Sequence, residues 1–466
     1  MIIETISQIS DFLWTYIVIT ILVCSAIYFT WNLNGVQFTH LGEMIRSFMP
    51  SADDKNGHGK KGKSISSFQA FAVSLASRVG TGNLAGVASA IFVGGPGAVF
   101  WMWVMALLGA STAFMESTLA QLFKRKGKDS FYGGPAYYMQ HGLHKRWMGI
   151  LFAVFIIYGF AFANQVVQSN TLCDALGNAF NVDVRYVAWA LTALTIAIIF
   201  GGIQRIAHFS SIVVPFMAVG YLLLSIFIMI INIDKIPDML VLIVKSAFGW
   251  EQAAGGTFGM AVMQGVKRGL FSNEAGEGSA PNAAATATTS HPVKQGLLQS
   301  LGVFTDTLVI CTCTAFVILL SGVYTEADGI TLTSMAMNVH LGSMGTWYLT
   351  AAIFLFAYST IIANYFYGEM NMRFIHDGKW TILVYRILSG SVILCGGYVT
   401  LQEAWSIIDL AMALMTILNM TALILLSKYV FVLYQDYERQ RKEGKDPMFK
   451  KDLFPDDDIE AWGTTD

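Results

Sequence analysis

The sequence predicts an all-α polytopic membrane protein with about 11 transmembrane helices. Hydrophobic residues make up 55% of the 466 residues, and charged residues make up only 13%. A soluble domain carries about 25% charged residues, because water must solvate its surface. Apolar runs of roughly 20 residues, the length that a helix needs to cross a bilayer, recur along the whole chain. Lipid is therefore expected to cover most of the surface.

Eleven segments are apolar and long enough to be predicted spans. The acidic segment before the first one lacks the positive region of a cleaved signal peptide, so we expect that span to remain in the mature protein. Glycines interrupt the seventh span. The predicted spans are 13–31, 66–92, 97–122, 148–172, 185–202, 209–232, 239–265, 297–321, 346–370, 381–399 and 404–432.

The distribution of Lys and Arg predicts the orientation. With eleven spans, the basic clusters of the loops after spans 1, 3, 5, 7 and 9 and of the C-terminal tail fall on one side. The opposite loops carry little beyond Arg185 and Lys235. The positive-inside rule then predicts a multi-pass protein of a bacterial inner membrane, with a periplasmic N-terminus and a cytoplasmic C-terminus. The charged tail from Gln435 onward is expected to be an ordinary cytoplasmic end.

The second span contains residues that a membrane helix usually lacks. Gly80 and Gly82 each weaken a helix by about 1 kcal/mol relative to Ala, and Thr81 and Asn83 add polar groups at the same level. Backbone groups that are freed in lipid need partners, and a substrate carboxylate or a cation can supply them. The segment therefore predicts a binding site. The alternative is close helix packing through a GxxxG pair, Gly82 and Gly86.

Two further segments allow a functional and a structural interpretation. The glycine-rich stretch 253–259 is either a second broken helix in the other half of the chain or an outside loop that leads into a shorter helix. The hydroxyls of Ser359 and Thr360 either bond back to a carbonyl one turn away or supply neutral oxygens to a monovalent cation.

Polar side chains in the fourth span leave two alternatives open. Gln168 lies one helical turn after Asn164, so the two side chains share a face. That face either lines a polar cavity or hydrogen-bonds to a neighbouring helix. The polar run 271–282 is not a span, and we expect it to be a cytoplasmic gate or connector.

Ionisable residues inside spans are costly and usually functional. Glu116 and Glu369 lie near predicted cytoplasmic ends, where water can solvate them. Arg78 and Asp306 lie deeper, where they can pair with each other or with backbone groups. Asp409 is the fifth such residue. The chain has no GxSxG, HExxH or phosphate-loop motif, so we expect neither an enzyme nor a cofactor.

Five motifs carry a resemblance to a known family. Their order along the chain, from residue 66 to residue 425, is VGTGNLAGVASAIFVGGPGAVFWMW, FYGGPAYYM, GLFSNEAGEGSAPNAAA, DTLVICT and FAYSTI. Together they resemble the alanine/glycine:cation symporter family, whose longest signature here reads SNEAGxGSAPNAA. The resemblance implies sodium-coupled symport of small neutral amino acids, such as alanine or glycine, into the cell by alternating access.

The resemblance also implies a LeuT-type fold with two inverted repeats of five helices, preceded by one extra helix. The corresponding segments are 1–64 for the extra helix and its loop, 65–235 and 236–433 for the repeats, and 434–466 for the tail. Sodium is the implied coupling ion, and the oligomeric state stays open. A proton-coupled carrier that uses Asp306 or Glu116 is the alternative, and a channel or receptor on the same spans is a more distant one.

Site residues follow from the same resemblance. The amides of Thr81 and Gly82 are expected to hold the substrate carboxylate, with Asn83 near it or near a sodium ion. Other residues implied to line the substrate cavity are Gln168, Gly255, Gly256 and Phe258. Asn364 stands where many members have Trp, and we expect it to enlarge or polarise the pocket.

The implied sodium site combines backbone and side-chain oxygens. The carbonyls of Ala76 and Val79 are expected to bind the ion from the broken helix. The hydroxyls of Ser359 and Thr360 are expected to bind it from the ninth span. Arg78, close to these carbonyls, stands where many members of the family have a small residue.

Overall fold

The computed structural model describes residues 2–48, 65–127, 130–249, 258–398 and 401–462, and these are almost entirely helical. A two-residue antiparallel pair of strands joins Arg125–Lys126 to Phe131–Tyr132. The α-helices of the first half are Ile2–Phe12, Ile19–Asn32, Val36–Thr39, Leu41–Arg46, Ser67–Arg78, Val87–Gly94, Gly97–Leu122, Pro135–His141, Arg146–Ile156, Gln165–Phe180, Val184–Ile199 and Gly202–Ile231.

The second half is built in the same way. A short 3₁₀ turn, Ile233–Lys235, opens it, and another, Lys451–Leu453, lies in the tail. Its α-helices are Ile236–Ala247, Phe258–Asn273, Pro281–Ala284, Pro292–Val303, Thr312–Ser321, Gly329–Leu341, Ser343–Ile375, Lys379–Cys395 and Leu401–Lys442.

Seven helical stretches in the described part of the chain are long and apolar enough to cross a membrane. They are Glu4–Asn32, Gly97–Leu122, Arg146–Phe180, Gly202–Ile231, Pro292–Ser321, Ser343–Ile375 and Ile408–Lys442. The prediction of an all-α polytopic membrane protein is therefore confirmed. The count of eleven stays a prediction, because other apolar helices, such as Val184–Ile199, are shorter and the seventh predicted span falls partly outside the described residues.

The helix Gly202–Ile231 illustrates how the surface suits lipid. Large apolar side chains are exposed along one of its faces, at Phe216, Leu223 and Ile230. The opposite face is buried, with Met217 and Tyr221 among its members. A soluble protein rarely exposes such a continuous apolar stripe, whereas a bilayer stabilises it.

The predicted interruption of the second span is confirmed. The helix Ser67–Arg78 begins with a capping box, in which the Ser66 hydroxyl accepts a hydrogen bond from the Gln69 amide. It ends at Val79, whose backbone turns away from helical geometry (φ −84°, ψ 82°). Helical structure resumes at Gly82–Gly86 as a wider π-type turn and continues as Val87–Gly94. Val79, Gly80 and Thr81 therefore lie at the break.

In the described part of the chain, wide π-type turns interrupt three further helices, and no local sequence pattern predicts them. They are Leu13–Val18, Ile157–Asn164 and Phe304–Cys311. Such turns displace backbone groups from regular α-helical bonding and are frequent at functional sites. The last two adjoin or contain Gln168 and Asp306, two of the candidate site residues.

The polar run 271–282 is a connector enclosed by the protein. All of its residues are buried, although the run contains Glu274 and Glu277. Gly276 and Gly278 adopt positive φ angles of 89° and 83°. A Cβ atom on Gly276 would lie 2.8 Å from Leu22, so the turn also needs glycine for close approach.

The C-terminal tail differs from the expected ordinary end. The last helix extends to Lys442, and the segment after it packs against the ends of other helices. The Trp462 indole donates to the carbonyl of Gln121 at 2.9 Å, and Arg125 pairs with Asp458 at 2.7 Å. The Arg125 guanidinium also holds the pKa of the Asp458 carboxyl below its ordinary value. Apolar anchors among the tail charges explain the packing.

Candidate functional site

Thr360 lies against the broken helix. It belongs to the helix Ser343–Ile375 and is 1% exposed. Its hydroxyl oxygen lies 2.8 Å from the carbonyl oxygen of Ala76 and 3.3 Å from that of Val79. Because the helix ends at Arg78, these carbonyls are partly free of intrahelical partners. We call this group of three oxygens the cation centre.

Gly80 makes this approach possible. A Cβ atom at Gly80 would lie 2.5 Å from the Thr360 hydroxyl oxygen and 3.3 Å from the Gln168 side-chain oxygen. Both distances are shorter than ordinary van der Waals contacts, so a larger residue would push the two helices apart. The glycine is therefore required by close approach as well as by the break itself.

The two adjacent hydroxyls have different surroundings. The Thr360 hydroxyl oxygen also lies 3.0 Å from the carbonyl oxygen of Phe356, one turn earlier, which is an alternative acceptor for its single proton. Ser359 donates to the same carbonyl at 3.0 Å and lies 3.6 Å from the sulfur of Met217. Both hydroxyls can therefore bond back to their own helix, and among the described residues only the Thr360 hydroxyl reaches the broken helix. The role of Ser359 in sodium binding stays a prediction.

Gln168 reaches the amide that the resemblance assigns to a substrate carboxylate. Its side-chain oxygen accepts a hydrogen bond from the Thr81 amide at 3.2 Å, and its nitrogen donates to Asn164 at 2.9 Å. The shared face of Asn164 and Gln168 therefore meets the break in the second span. The Thr81 hydroxyl is buried and has no hydrogen-bond partner among the described residues.

Asn83 forms hydrogen bonds both within the broken segment and to neighbouring elements. Its side-chain oxygen accepts a hydrogen bond from the Gly80 amide at 2.9 Å. Its nitrogen donates to Asp306 at 2.7 Å and to Ser272 at 3.0 Å. Asn83 thus ties the broken helix to two other elements, and Asp306 also accepts from the Ser272 hydroxyl at 2.7 Å.

Asn364 lies one turn after Thr360 on the same helix. Its side-chain oxygen lies 3.0 Å from the Ser77 hydroxyl, which lies 2.6 Å from Glu274 as well. The Asn364 nitrogen is buried and has no partner in the described part of the chain. With the Thr81 hydroxyl, it gives the region two polar groups that a bound solute could satisfy.

The glycines of the predicted GxxxG pair differ in their surroundings. A Cβ atom at Gly82 would lie 2.9 Å from the ring of Phe271, whereas a Cβ atom at Gly86 would meet nothing within 4 Å. The alternative of close helix packing through both glycines is therefore wrong, because only Gly82 is closely packed. Phe271, a neighbour of the break, was not singled out from the sequence, because nothing in its local pattern distinguishes it from other buried aromatics.

The remaining predicted cavity residues are Gly255, Gly256 and Phe258. Gly255 and Gly256 lie outside the described residues. Phe258 begins the helix Phe258–Asn273, is 51% exposed and packs edge-on against Trp101. Its role in lining the cavity stays a prediction.

Water does not solvate Glu116 or Glu369, which was one of the possibilities that the sequence left open, because both are 0% exposed. Glu369 pairs with Arg373 at 2.6 Å. Glu116 accepts a hydrogen bond from Asn419 at 3.0 Å, and its other oxygen has no partner among the described residues. Neighbouring helices enclose both carboxylates, which the position of a residue near a helix end does not reveal.

Arg78 bonds to the backbone, one of the alternatives left open by the sequence. It is 1% exposed, and one of its terminal nitrogens donates to the carbonyl of Gln299 at 3.2 Å. Two other guanidinium nitrogens have no hydrogen-bond partner in the described part of the chain. Its charge acts on Glu116, Glu274 and Glu277. We call these three glutamates and Arg78 the carboxylate centre.

The two centres differ in the chemistry they can support. The cation centre offers neutral oxygens, the ligands used for monovalent cations at broken membrane helices. No group of three or more His, Cys, Asp or Glu side chains in the described ranges could hold a metal ion. The carboxylate centre carries ionisable groups in a buried environment, where charge is costly and protons can bind.

Comparisons with known proteins agree with a transport function. The model of the sodium:alanine symporter family matches residues 1–451. A probable sodium/glutamine symporter of Bacillus subtilis is 49% identical over 98% of this chain and 95% of its own length. An amino-acid carrier protein of Bacillus subtilis is 47% identical over 96% of this chain and 94% of its own.

A third relative is named for two cations. It is a sodium/proton-dependent alanine carrier protein of Bacillus sp. PS3, 37% identical over 85% of this chain and 94% of its own length. The family and these relatives are transporters rather than enzymes. The chain belongs to the sodium:alanine symporter family.

Proposed function

We propose that this protein is a sodium-coupled symporter that carries small neutral amino acids into the cell by alternating access. The observation that carries the proposal is the approach of the Thr360 hydroxyl to the carbonyls of Ala76 and Val79, at 2.8 and 3.3 Å. A hydroxyl and two carbonyls exposed by a helix break are the kind of oxygens that bind sodium within a membrane. Their position on two different helices lets the ion join those helices.

The amino acid binds beside the ion in this proposal. Its carboxylate accepts a hydrogen bond from the Thr81 amide. In the present structure this amide donates to Gln168, so Gln168 moves aside when the substrate binds. The Thr81 hydroxyl and the Asn364 nitrogen, buried without partners among the described residues, supply further polar contacts. A polar Asn364 also suits a substrate with a polar side chain, such as glutamine.

The ion organises the site before the bundle moves. Sodium draws the Thr360 helix and the broken helix together, which completes the amino-acid site, and the loaded protein then opens to the other side. One charge crossing 100 mV contributes about 2.3 kcal/mol. A tenfold sodium gradient adds about 1.4 kcal/mol. Together they support accumulation of roughly several hundredfold.

The proposed architecture is the LeuT-type arrangement of eleven spans, one extra helix followed by two inverted repeats of five. The break within 79–81 supports it, since broken helices at the membrane midplane mark the sites of such transporters. The protein is proposed to lie in a bacterial inner membrane, N-terminus outside and C-terminus inside, as the distribution of Lys and Arg indicates.

A second candidate replaces sodium with protons as the coupling ion. The observation in its favour is the carboxylate centre, where Glu277 and one oxygen of Glu116 are buried without hydrogen-bond partners among the described residues. Proton relays inside membrane proteins use such carboxylates. The relative named as a sodium/proton-dependent carrier gives this candidate further support.

Uptake into proteoliposomes distinguishes these candidates. Labelled alanine, glycine and glutamine are supplied to vesicles that hold the purified protein, with an inward gradient of sodium or of protons. Saturable, electrogenic uptake that requires sodium supports the proposal and ranks the three substrates. Uptake that follows the proton gradient in sodium-free buffer supports the second candidate. Saturation also separates a carrier from a channel.

A further inference from the structure

Glu277 differs from every other carboxylate of the carboxylate centre in its hydrogen bonding. Both oxygens of Glu274 accept from hydroxyls, those of Ser77 and Ser279. One oxygen of Glu116 accepts from Asn419. Neither oxygen of Glu277 has a hydrogen-bond partner in the described part of the chain, although the residue is 0% exposed.

The positive charge of Arg78 does not balance the negative charge that an ionised Glu277 would carry. Arg78, Glu274, Glu116 and Asp409 are the charged residues that act on Glu277. Asp409 is itself paired with Lys267 at 2.6 Å. The charge of Arg78 is thus shared among three glutamates, and Arg78 is itself buried with two nitrogens that lack hydrogen-bond partners among the described residues. An ionised Glu277 would be a buried charge with neither a salt bridge nor a hydrogen bond, which proteins avoid.

The connector keeps Glu277 inside. The residue lies between Gly276 and Gly278, whose positive φ angles form a tight turn. A Cβ atom on Gly278 would lie 2.7 Å from Pro135 and one on Gly276 3.0 Å from Met420, so neighbouring elements press on the turn from both sides. Glu277 can meet water only when the connector and these elements separate.

We propose that Glu277 is a proton-binding site of this transporter. The carboxylic acid keeps its proton while the connector is enclosed. When the connector meets water, the O–H bond breaks, the proton passes to water and the carboxylate remains. A protein that alternates between these states binds and releases one proton at Glu277 in each cycle, so its transport rate responds to pH. This inference rests on the proposed alternating-access function.

Hydrogen bonds through Ser77 join Glu274, a neighbour of Glu277 on the connector, to the proposed substrate site. The Ser77 hydroxyl lies 2.6 Å from Glu274 and 3.0 Å from the Asn364 oxygen, and its single proton can bond to one of them at a time. Glu274 and Glu277 interact electrostatically. Ionisation at Glu277 therefore changes which partner Ser77 serves, and with it the hydrogen bonding of Asn364.

Glu277 also differs from Asp306, whose two oxygens accept hydrogen bonds from Asn83 and Ser272.

The test compares Glu277→Gln with the unchanged protein in proteoliposomes that contain a pH-sensitive dye. Gln copies the neutral form of the acid, so we expect sodium-driven uptake to persist while its pH response and the substrate-induced proton signal are lost. Glu326→Gln, which removes an exposed carboxylate, should retain both. An unchanged pH profile and proton signal in Glu277→Gln would overturn the proposal.

Two further readouts keep the test decisive. Infrared spectroscopy of the purified protein should show a carbonyl band of a protonated carboxylic acid that Glu277→Gln lacks, and its presence in that variant would overturn the proposal. Glu277→Met should fold at least as stably as the unchanged protein, since it replaces an unpaired acid by an apolar side chain of similar length. Failure of both variants to fold would show a structural, ionised Glu277. Absence of uptake by the unchanged protein would instead contradict the proposed function, while the infrared band would still test Glu277.

Discussion

The cation centre and the carboxylate centre both include residues at the C-terminal end of the helix Ser67–Arg78. The buried oxygens of the two centres differ in their hydrogen bonding. At the cation centre, the Thr360 hydroxyl lies within hydrogen-bond distance of two carbonyls that the helix break releases, and its single proton serves one of them at a time. At the carboxylate centre, Glu277 has neither a hydrogen bond nor a salt bridge among the described residues. The first arrangement suits an ion that replaces one set of contacts by another, and the second suits a proton that removes a charge.

The difference shows what the helix break contributes. Ala76 and Val79 face the cation centre through their carbonyls, whereas the Ser77 hydroxyl contacts Glu274 and the charge of Arg78 acts on the glutamates. One short segment therefore supplies backbone oxygens to one centre and polar side chains to the other. Variants that act on only one centre can separate the two functions.

The largest effect is expected for Gly80→Ala. The new Cβ would lie 2.5 Å from the Thr360 oxygen, and Thr360 is β-branched and cannot turn away easily. We expect a cost of about 1–3 kcal/mol and loss of uptake, because the two helices can no longer meet. Gly86→Ala is the matched control, since its Cβ meets nothing within 4 Å. Equal uptake by both variants would contradict the role of close approach at Gly80.

Thr360→Val should weaken sodium binding while keeping the shape of the side chain. A hydrogen-bonding group that serves a charged partner contributes about 1.5–3 kcal/mol, so the apparent sodium affinity should fall about 10- to 100-fold. The measurement is the sodium dependence of uptake. Thr192→Val is the control, because the Thr192 hydroxyl bonds to the Ala188 carbonyl on its own helix. An unchanged sodium dependence in Thr360→Val would remove this hydroxyl from the site.

Ser77→Ala should disconnect the two centres with a smaller effect. The lost hydroxyl serves Glu274 and Asn364, so we expect the apparent affinity for the amino acid to fall about two- to tenfold, as for a neutral hydrogen bond of about 0.5–1.5 kcal/mol. Ser74→Ala on the same helix is the control, since its hydroxyl contacts Gln299 instead. If both variants behave alike, the path through Ser77 does not couple the centres.

The smallest effect on uptake is expected for Trp462→Ala in the tail. Its indole bonds to the Gln121 carbonyl and stacks near the Lys124 ammonium, 4.6 Å from the ring centre. Without it we expect the tail to detach and become sensitive to proteases, while uptake changes less than about twofold. Glu443→Gln, which alters an exposed ion pair, should leave protease sensitivity unchanged. A large loss of uptake in Trp462→Ala would give the tail a role in transport itself.

The helix break and the membrane class could be predicted from the sequence, because local patterns encode them. The broken helix follows from Gly80 and Gly82 within an apolar run, and the membrane class follows from apolar runs and scarce charge. These signals are local because a helix break or a spanning helix depends on its own residues. The family motifs then directed attention to Thr360.

Features that depend on distant partners escaped that reasoning. Solvation by water was one possibility for Glu116 and Glu369, but both are fully buried, and Glu116 bonds to Asn419, which lies 303 positions away. The connector and the tail were judged by their charges, although their environment comes from neighbours such as Leu22 for the connector and Gln121 for the tail. Tertiary burial cannot be read from a local pattern when the enclosing residues lie more than a hundred positions away.

The measurement that tests the central claim most directly follows radioactive sodium and a labelled amino acid in the same proteoliposomes. The account predicts that each enters only when the other is present, with a fixed ratio between them, and that Thr360→Val loses sodium entry together with amino-acid entry at low sodium concentrations. Accumulation of the amino acid at the full rate without sodium entry would contradict the account.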